Sequence, residues 1–240
     1  MKIGLIGYGK MGKAIEKIAL ERGHSIEAIV NSSNPVDKAD LSNCDIAIEF
    51  STPDLATKHI IHCFNNHIPI VVGTTAWHHE LETIKTMCNE LNGSMIYAPN
   101  FSLGVNIFFE LNKRLAELMS GNADYNAEVI EVHHLQKLDS PSGTAIEIAK
   151  GIIAYNDSYD DWKSGEGVKP EVSDSILPIT AIREPEVPGT HTVIYQSEID
   201  SILMTHQAHN RNGFALGAVV AAEWIYGKKG VFTMSNVLNS

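Results

Sequence analysis

Over the first hundred residues, short apolar runs alternate with stretches of helical periodicity. Ile3 to Ile6 is a continuous apolar run ending in glycine, the pattern of a parallel strand buried on both faces. Met11, Ala14, Ile15, Ile18 and Ala19 then fall on one helical face, and Gly23 ends that helix. Ser25 to Val30, Asp45 to Phe50, Ile68 to Val72 and Ser94 to Ala98 predict further strands, with helices over 54–65 and 77–92 between them. Strand–helix alternation of this kind predicts a doubly wound parallel sheet.

After Asn100 the pattern changes. Val105 to Met119 predicts a long helix and Ala127 to His133 a strand. A helix starts at Thr144, where Thr144-x-x-Glu147 fits a capping box and Ala145, Ile148, Ala149 and Ile152 share a face. Residues 157–175 are polar and charged, and predict a long surface loop. Ile176 to Arg183, Thr190 to Ser197 and Ser201 to Gln207 read as strands, followed by a helix from Phe214 to Tyr226. With the strand before His133 they make an open mixed sheet of about four strands. The expected fold is α/β: a Rossmann-type sheet plus a smaller α+β domain. Residues 1–103 with 211–240 form the first, dinucleotide-binding, and 104–210 the second, for substrate and oligomerisation.

Composition narrows the function. Of 240 residues, 44% are hydrophobic and 20% charged, ordinary for a globular protein. A net charge of −11 argues against nucleic acid or an anionic membrane as partner. Cys44, Cys63 and Cys88 form no CxxC, no apolar run is long enough to span a membrane, and no signal peptide is visible. A cytoplasmic location is expected.

Gly7-Tyr8-Gly9-Lys10-Met11-Gly12 lies between the first strand and its helix, the context that turns a loose glycine pattern into a dinucleotide fingerprint. Gly7 permits the turn, Gly9 lets a pyrophosphate approach, and Gly12 lets helix and strand pack closely. The second strand ends in Asn31-Ser32-Ser33-Asn34, without the carboxylate that selects NADH or an arginine to grip a 2′-phosphate. The loop admits either cofactor and slightly favours NADPH. Gly73-Thr74-Thr75 and Ala98-Pro99-Asn100-Phe101 fall at carboxyl ends of strands, where open α/β sheets bind ligands.

The richest segment runs from Glu131 through His133, His134, Lys137 and Ser142-Gly143-Thr144 to Ala145. Titratable rings, a cation and a turn opening a helix suit a site that holds a carboxylate and protonates what reacts beside it. Metal is not expected. Adjacent histidines on a strand face opposite ways, and no CxxC or carboxylate cluster accompanies them. His206 and His209 read as ordinary strand and loop residues.

These segments resemble the 4-hydroxy-tetrahydrodipicolinate reductase (dihydrodipicolinate reductase) family, essentially end to end. The Glu131–Ala145 segment looks like the family signature. Glu49-Phe50-Ser51, Gly73-Thr74-Thr75 and Asn100 to Asn106 are similar to its cofactor-side loops. The resemblance implies reduction of a small cyclic dicarboxylate with NADH or NADPH, cofactor contacts including Phe50 and Ser51, and a catalytic pair falling on His133 and Lys137. It implies substrate binding by His134, Gly143 and Thr144, with Ser142 in the same turn, and a chain whose residues 211–240 return to the nucleotide domain. Asn31 departs from the acidic residue of many members, and the 157–175 loop matches no motif. The family is typically tetrameric. Ile202 and Met204 lie on one strand face and Leu203 on the other, which likewise predicts a homotetramer joined through the second domain. Two alternatives remain at this level. A dehydrogenase of aspartate-semialdehyde or homoserine type is one, although all three cysteines lie outside the signature. A non-catalytic dinucleotide sensor is the other, and it would have no use for the signature.

Overall fold

The computed structural model describes residues 1–210 and 212–239; Arg211 and Ser240, both within the expected return segment, lie outside the described residues. The chain divides into two compact units, Met1–Asn106 with Asn212–Ser240, and Ile107–Arg211.

The first unit begins with β1 (Lys2–Ile6), α1 (Lys10–Glu21), β2 (Ser25–Val30), β3 (Ile46–Glu49) and α2 (Pro53–Asn65). It continues through β4 (Ile70–Val72), a 3-10 turn at His78–Glu80, α3 (Leu81–Glu90) and β5 (Ser94–Tyr97). Alternate strand residues supply two cores. Ile3, Leu5, Ile46 and Ile48 pack beneath α1 with Ile15 and Ala19. Ile6, Ala47, Ile70 and Val72 pack on the opposite face with Ile60, Phe64 and Ile84 of α2 and α3. A parallel sheet covered on both faces therefore has no polar stripe, and its strands read as unbroken apolar runs. Pro53 and Asp54 open α2, where a missing N–H and a negative charge both suit a helix start. Gly23, at φ +81°, follows α1 as expected.

The next elements are α4 (Leu103–Met119), β6 (Asn126–His133), α5 (Gly143–Tyr155), β7 (Asp161–Glu166), β8 (Ile176–Arg183), β9 (Thr190–Gln196) and β10 (Ser201–Gln207). They build a five-stranded sheet in the order β10-β9-β6-β8-β7. β6 runs antiparallel to β9 and parallel to β8. Alternation along β6 sends Ala127, Val129, Glu131 and His133 to the buried face. Ala127 and Val129 join a core with Phe108 and Ala116 of α4 and Ile148 and Ile152 of α5.

Two expectations fail in this unit. Residues 157–175 are not simply a loop: 161–166 form β7, parallel to β8 in the register Asp161↔Ile176 to Glu166↔Ala181. The sequence Asp-Trp-Lys-Ser-Gly-Glu lacks apolar alternation because an edge strand is held mainly by its main chain. The helix after the signature starts earlier than Thr144. Ser142 is its N-cap, accepting from Ala145 N at 3.1 Å, so Thr144 and Glu147 are not a capping box.

The chain then adds α6 (Asn212–Ile225), β11 (Gly230–Phe232) and α7 (Met234–Leu238) to the first unit. Its six-stranded sheet has the order β11-β5-β4-β3-β1-β2. Three residues are too few to show a pattern, so β11 is invisible in the sequence. The order reverses between β1 and β3, which places the ligand crevice of such a sheet at their carboxyl ends.

Candidate active site

In the first unit the candidate cofactor residues line the carboxyl edge of the sheet. Gly7 follows β1 at φ +91°, and a Cβ there would lie 2.0 Å from the carbonyl oxygen of Phe50. A Cβ on Gly12 would lie 2.3 Å from Gly7 O. Around Gly9 nothing lies within 4 Å of a Cβ position. Two glycines are thus required by the protein's own backbone, and the central one faces space that a pyrophosphate can use. Tyr8 donates its hydroxyl to Glu16, while Lys10 and Met11 open α1.

Beyond β3, Ser51 is fixed by residues of the two cofactor-side loops. Its N–H donates to Glu49 Oε1 at 3.1 Å and Thr74 Oγ1 at 2.8 Å, and its hydroxyl also donates to Glu49. Glu49 is fully buried, with His59 Nδ1 3.4 Å from the same oxygen. The Phe50 ring covers Gly73 and lies 5.9 Å from the Phe101 ring. Ala98 and Phe101 are core residues, leaving backbone rather than side chain to face a ligand, while Pro99 and Thr75 are exposed. Asn100 Oδ1 accepts from Ser102 N at 2.8 Å. The Asn31–Asn34 loop folds on itself, Asn31 Oδ1 accepting from Ser33 N and Asn34 N at 2.9 Å each, and Ser32 is exposed.

In the second unit the signature wraps the carboxyl end of β6. Glu131 is completely buried, and its Oε1 accepts from Ser142 N at 3.0 Å and from both terminal nitrogens of Arg183 at 3.3 Å. Arg183 Nη2 also donates to Asp139 O at 2.7 Å, tying β8 to the signature loop. His133 is buried, its Nδ1 3.2 Å from Glu131 Oε2. The His191 ring of β9 stands edge-on to it at 5.0 Å, with Nε2 3.2 Å from Ser142 Oγ. Burial, then the neighbouring His133, pushes the His191 pKa down to about 3. Burial raises the Glu131 carboxyl, but the adjacent His133 and hydrogen bonding by Ser142 outweigh it and leave the pKa at about 2. His134 is half-buried just past the strand, with a buried Nδ1 that has no partner among the described residues.

Lys137 Nζ donates to both carboxylate oxygens of Asp139, at 2.8 and 2.9 Å. Burial raises the Asp139 pKa, but hydrogen bonds, from Lys137 and from Gly143 N–H among others, bring it below the usual carboxylate range. Beside the entrance to α5 a lysine therefore already holds one carboxylate, as a cation there would hold an anionic ligand. Glu131 was legible, since period-two alternation puts it on the face of His133. Arg183 and His191 were not: only the register His133↔Arg183 and Glu131↔His191 brings them in.

A parallel sheet with a dinucleotide fingerprint, beside a second sheet that carries a cluster of titratable side chains, is the architecture of a two-domain oxidoreductase. The dihydrodipicolinate reductase N-terminus model matches residues 1–101 and the corresponding C-terminus model residues 104–238. The 4-hydroxy-tetrahydrodipicolinate reductase of Christiangramia forsetii is 48% identical, over 100% of this chain and 98% of its own. That of Akkermansia muciniphila is 35% identical over 96% and 94%. A dipicolinate-bound dihydrodipicolinate reductase from Paenisporosarcina sp. TG-14 has the same fold, with a TM-score of 0.76 at 23% identity, covering 97% of each chain. The chain belongs to the dihydrodipicolinate reductase family and is an NAD(P)H-dependent oxidoreductase.

Proposed function

We propose that the chain reduces 4-hydroxy-tetrahydrodipicolinate to tetrahydrodipicolinate, in lysine and diaminopimelate biosynthesis, with the following division of labour. The first unit holds NAD(P)H through Gly7 to Gly12 and the loops at Asn31–Ser32, Phe50–Ser51, 73–75 and 98–101. The second unit holds the dicarboxylate through Lys137, His134 and the Ser142-Gly143-Thr144 turn. When bound, NAD(P)H supplies a hydride to the conjugated imine of the ring. His133 gives the proton that the displaced electron pair requires, and Lys137 balances the carboxylate charge. The observation that carries this reading is the grip of Lys137 on the carboxylate of Asp139 beside the entrance to α5. A substrate carboxylate would exchange with it.

Glu131, His133 and His191 bring three donor atoms within 4.8 Å of one another, a spacing that a metal could use. We assign them to proton and anion chemistry instead. Glu131 is already paired with the Arg183 guanidinium at 3.3 Å and with Ser142 N at the start of α5, so its charge is met without a metal.

The assay follows loss of NAD(P)H absorbance with substrate generated in place by a coupled synthase. Turnover is expected with both cofactors, and kcat/KM for NADPH at least equal to that for NADH. No carboxylate at Asn31–Asn34 repels a 2′-phosphate, and Asn31 Oδ1 is already committed to its own loop. A strong preference for NADH would show that the ribose is read elsewhere, and no oxidation of either would end the assignment.

We also propose a cytoplasmic homotetramer joined through the second unit. The sheet face away from α4 and α5 carries Ile130, Val132, Ile182, Ile194 and Leu203, with Leu203 61% exposed. A cavity of about 910 Å³ lies beside it, lined by Tyr125, Glu128, Lys169, Ile194 and Ile199, none from the signature. Sheet packing on sheet would cover this face. The free thiols of Cys44, Cys63 and Cys88 suit a reducing compartment. No helix among the described residues is long and apolar enough to cross a membrane. Light scattering at micromolar concentration is expected to give four chains; a monomer would refute the assembly.

A further inference from the structure

We propose that Glu131 fixes the tautomer of His133, so that Nδ1 keeps a proton permanently and the proton given to substrate leaves from Nε2, beside Gly189. The inference rests on the reading that His133 is the proton donor.

The argument starts from two buried atoms. Glu131 Oε1 is occupied by Ser142 N and Arg183, whereas Oε2 has no hydrogen-bond partner. His133 Nδ1 is equally without one, and the two atoms stand 3.2 Å apart. Two bare lone pairs at that separation repel, and each would bear the cost of an unmet buried polar atom. As the ring stands, Nδ1 is near Oε2 but not aimed at it; a small turn of the ring that points an Nδ1 proton at Oε2 removes both penalties at once. A neutral imidazole carries only one N–H, so Nε2 is then the acceptor in the neutral ring and the acid in the charged one. Glu131 can serve because it remains a carboxylate, its pKa held at about 2.

The neighbours leave that role to Glu131. His191 Nε2 is 3.8 Å from the same oxygen but 3.2 Å from Ser142 Oγ, and His191 stays neutral. Arg183 from β8 is directed to Oε1, Lys137 from the signature loop is paired with Asp139, and His206 of β10 lies opposite His191. On the far edge of the ring, a Cβ at Gly189 would fall 3.0 Å from Nε2 and 3.2 Å from Cδ2. Glycine thus keeps side-chain atoms away from the reacting nitrogen.

The step balances. Hydride addition, with NAD(P)H oxidised, pushes a π pair of the substrate onto a ring atom. That pair takes the proton of Nε2, the N–H bond breaks, and His133 is left neutral, its remaining proton on Nδ1 and shared with Glu131 only as a hydrogen bond. Solvent returns the lost proton before the next turnover. Glu131 touches neither substrate nor cofactor in this scheme and is a positioning residue.

The direct test is long-range ¹H–¹⁵N NMR of the wild-type protein at a pH where His133 is neutral, with its signals assigned by their loss in His133→Gln. A protonated Nδ1 with a pyridine-like Nε2 is expected, and the reverse pattern overturns the inference. Glu131→Gln provides the second arm. Its kcat should fall on the order of 10²–10⁴, as for other imidazoles that lose their orienting carboxylate. In the same NMR experiment Glu131→Gln should lose the single tautomer, because an amide can donate as well as accept. Binding of dipicolinate and NADPH should remain within about twofold. Retained turnover, or a loss of dipicolinate binding with the wild-type tautomer kept, would show that Glu131 merely holds Ser142 and Arg183 in place. The underlying reading fails separately, if His133→Ala remains active.

Discussion

Alanine at His133 or at Lys137 is expected to lower kcat on the order of 10² or more while NADPH still binds. For His133 the loss is that of the proton donor. The ring is buried against Glu131 and His191, so no other side chain described nearby can take its position. Lys137→Ala removes a cation and also frees a carboxylate. Asp139 would lose both Nζ contacts and stand as an unpaired carboxylate beside Gly143, repelling the carboxylate that the turn should bind. The two variants should therefore differ in KM. His133→Ala should leave dicarboxylate affinity near wild type, and Lys137→Ala should raise KM together with the fall in kcat. Steady-state kinetics with titrations of NADPH and dipicolinate separate these effects, and full activity in either variant would remove the role given to that residue.

The sequence carried the first unit well because the inner strands of its sheet are buried on both faces. Ile3–Ile6 and Ile70–Val72 have no polar side to dilute the signal. The signature was legible for a related reason: titratable residues packed into a short segment resist a bland reading. What escaped depends on pairing between distant strands. β7 is ordered by main-chain bonds to β8, so its polar residues read as loop. Arg183 and His191 look unremarkable in their own strands and acquire a role only through register with His133 and Glu131. The helix start was misplaced for a local reason. Thr144 and Glu147 have capping-box spacing, but Ser142 reaches Ala145 N first, and its own N–H goes to Glu131 rather than to a glutamate in the helix. That cap thus ties the anion-binding turn to the acid–base group.

The fingerprint glycines should respond to alanine in opposite ways. At Gly7 a methyl would sit 2.0 Å from Phe50 O, 2.5 Å from Phe50 C and 2.9 Å from Ser51 N, all backbone, at φ +91°. Backbone cannot rotate aside as a side chain can, and the left-handed conformation adds about 1–2 kcal/mol for any L residue. Gly7→Ala is therefore expected to cost roughly 3 kcal/mol or more, with a fall in Tm of roughly 6–12 °C for a chain of this size. Gly9 has φ −86°, open to other residues, and nothing within 4 Å of its Cβ position. Gly9→Ala should leave Tm within about 1–2 °C of wild type, as for a surface substitution that touches nothing. Its methyl would nevertheless occupy the space through which a pyrophosphate reaches the helix N-terminus, so KM for NADPH should rise by about tenfold or more. Affinity for the dicarboxylate, which the proposed function assigns to the second unit, should not change in Gly9→Ala. Thermal melts and cofactor titrations of the two variants distinguish a glycine needed by the fold from one needed by the ligand. Wild-type NADPH binding in Gly9→Ala would mean that the cofactor does not approach this turn.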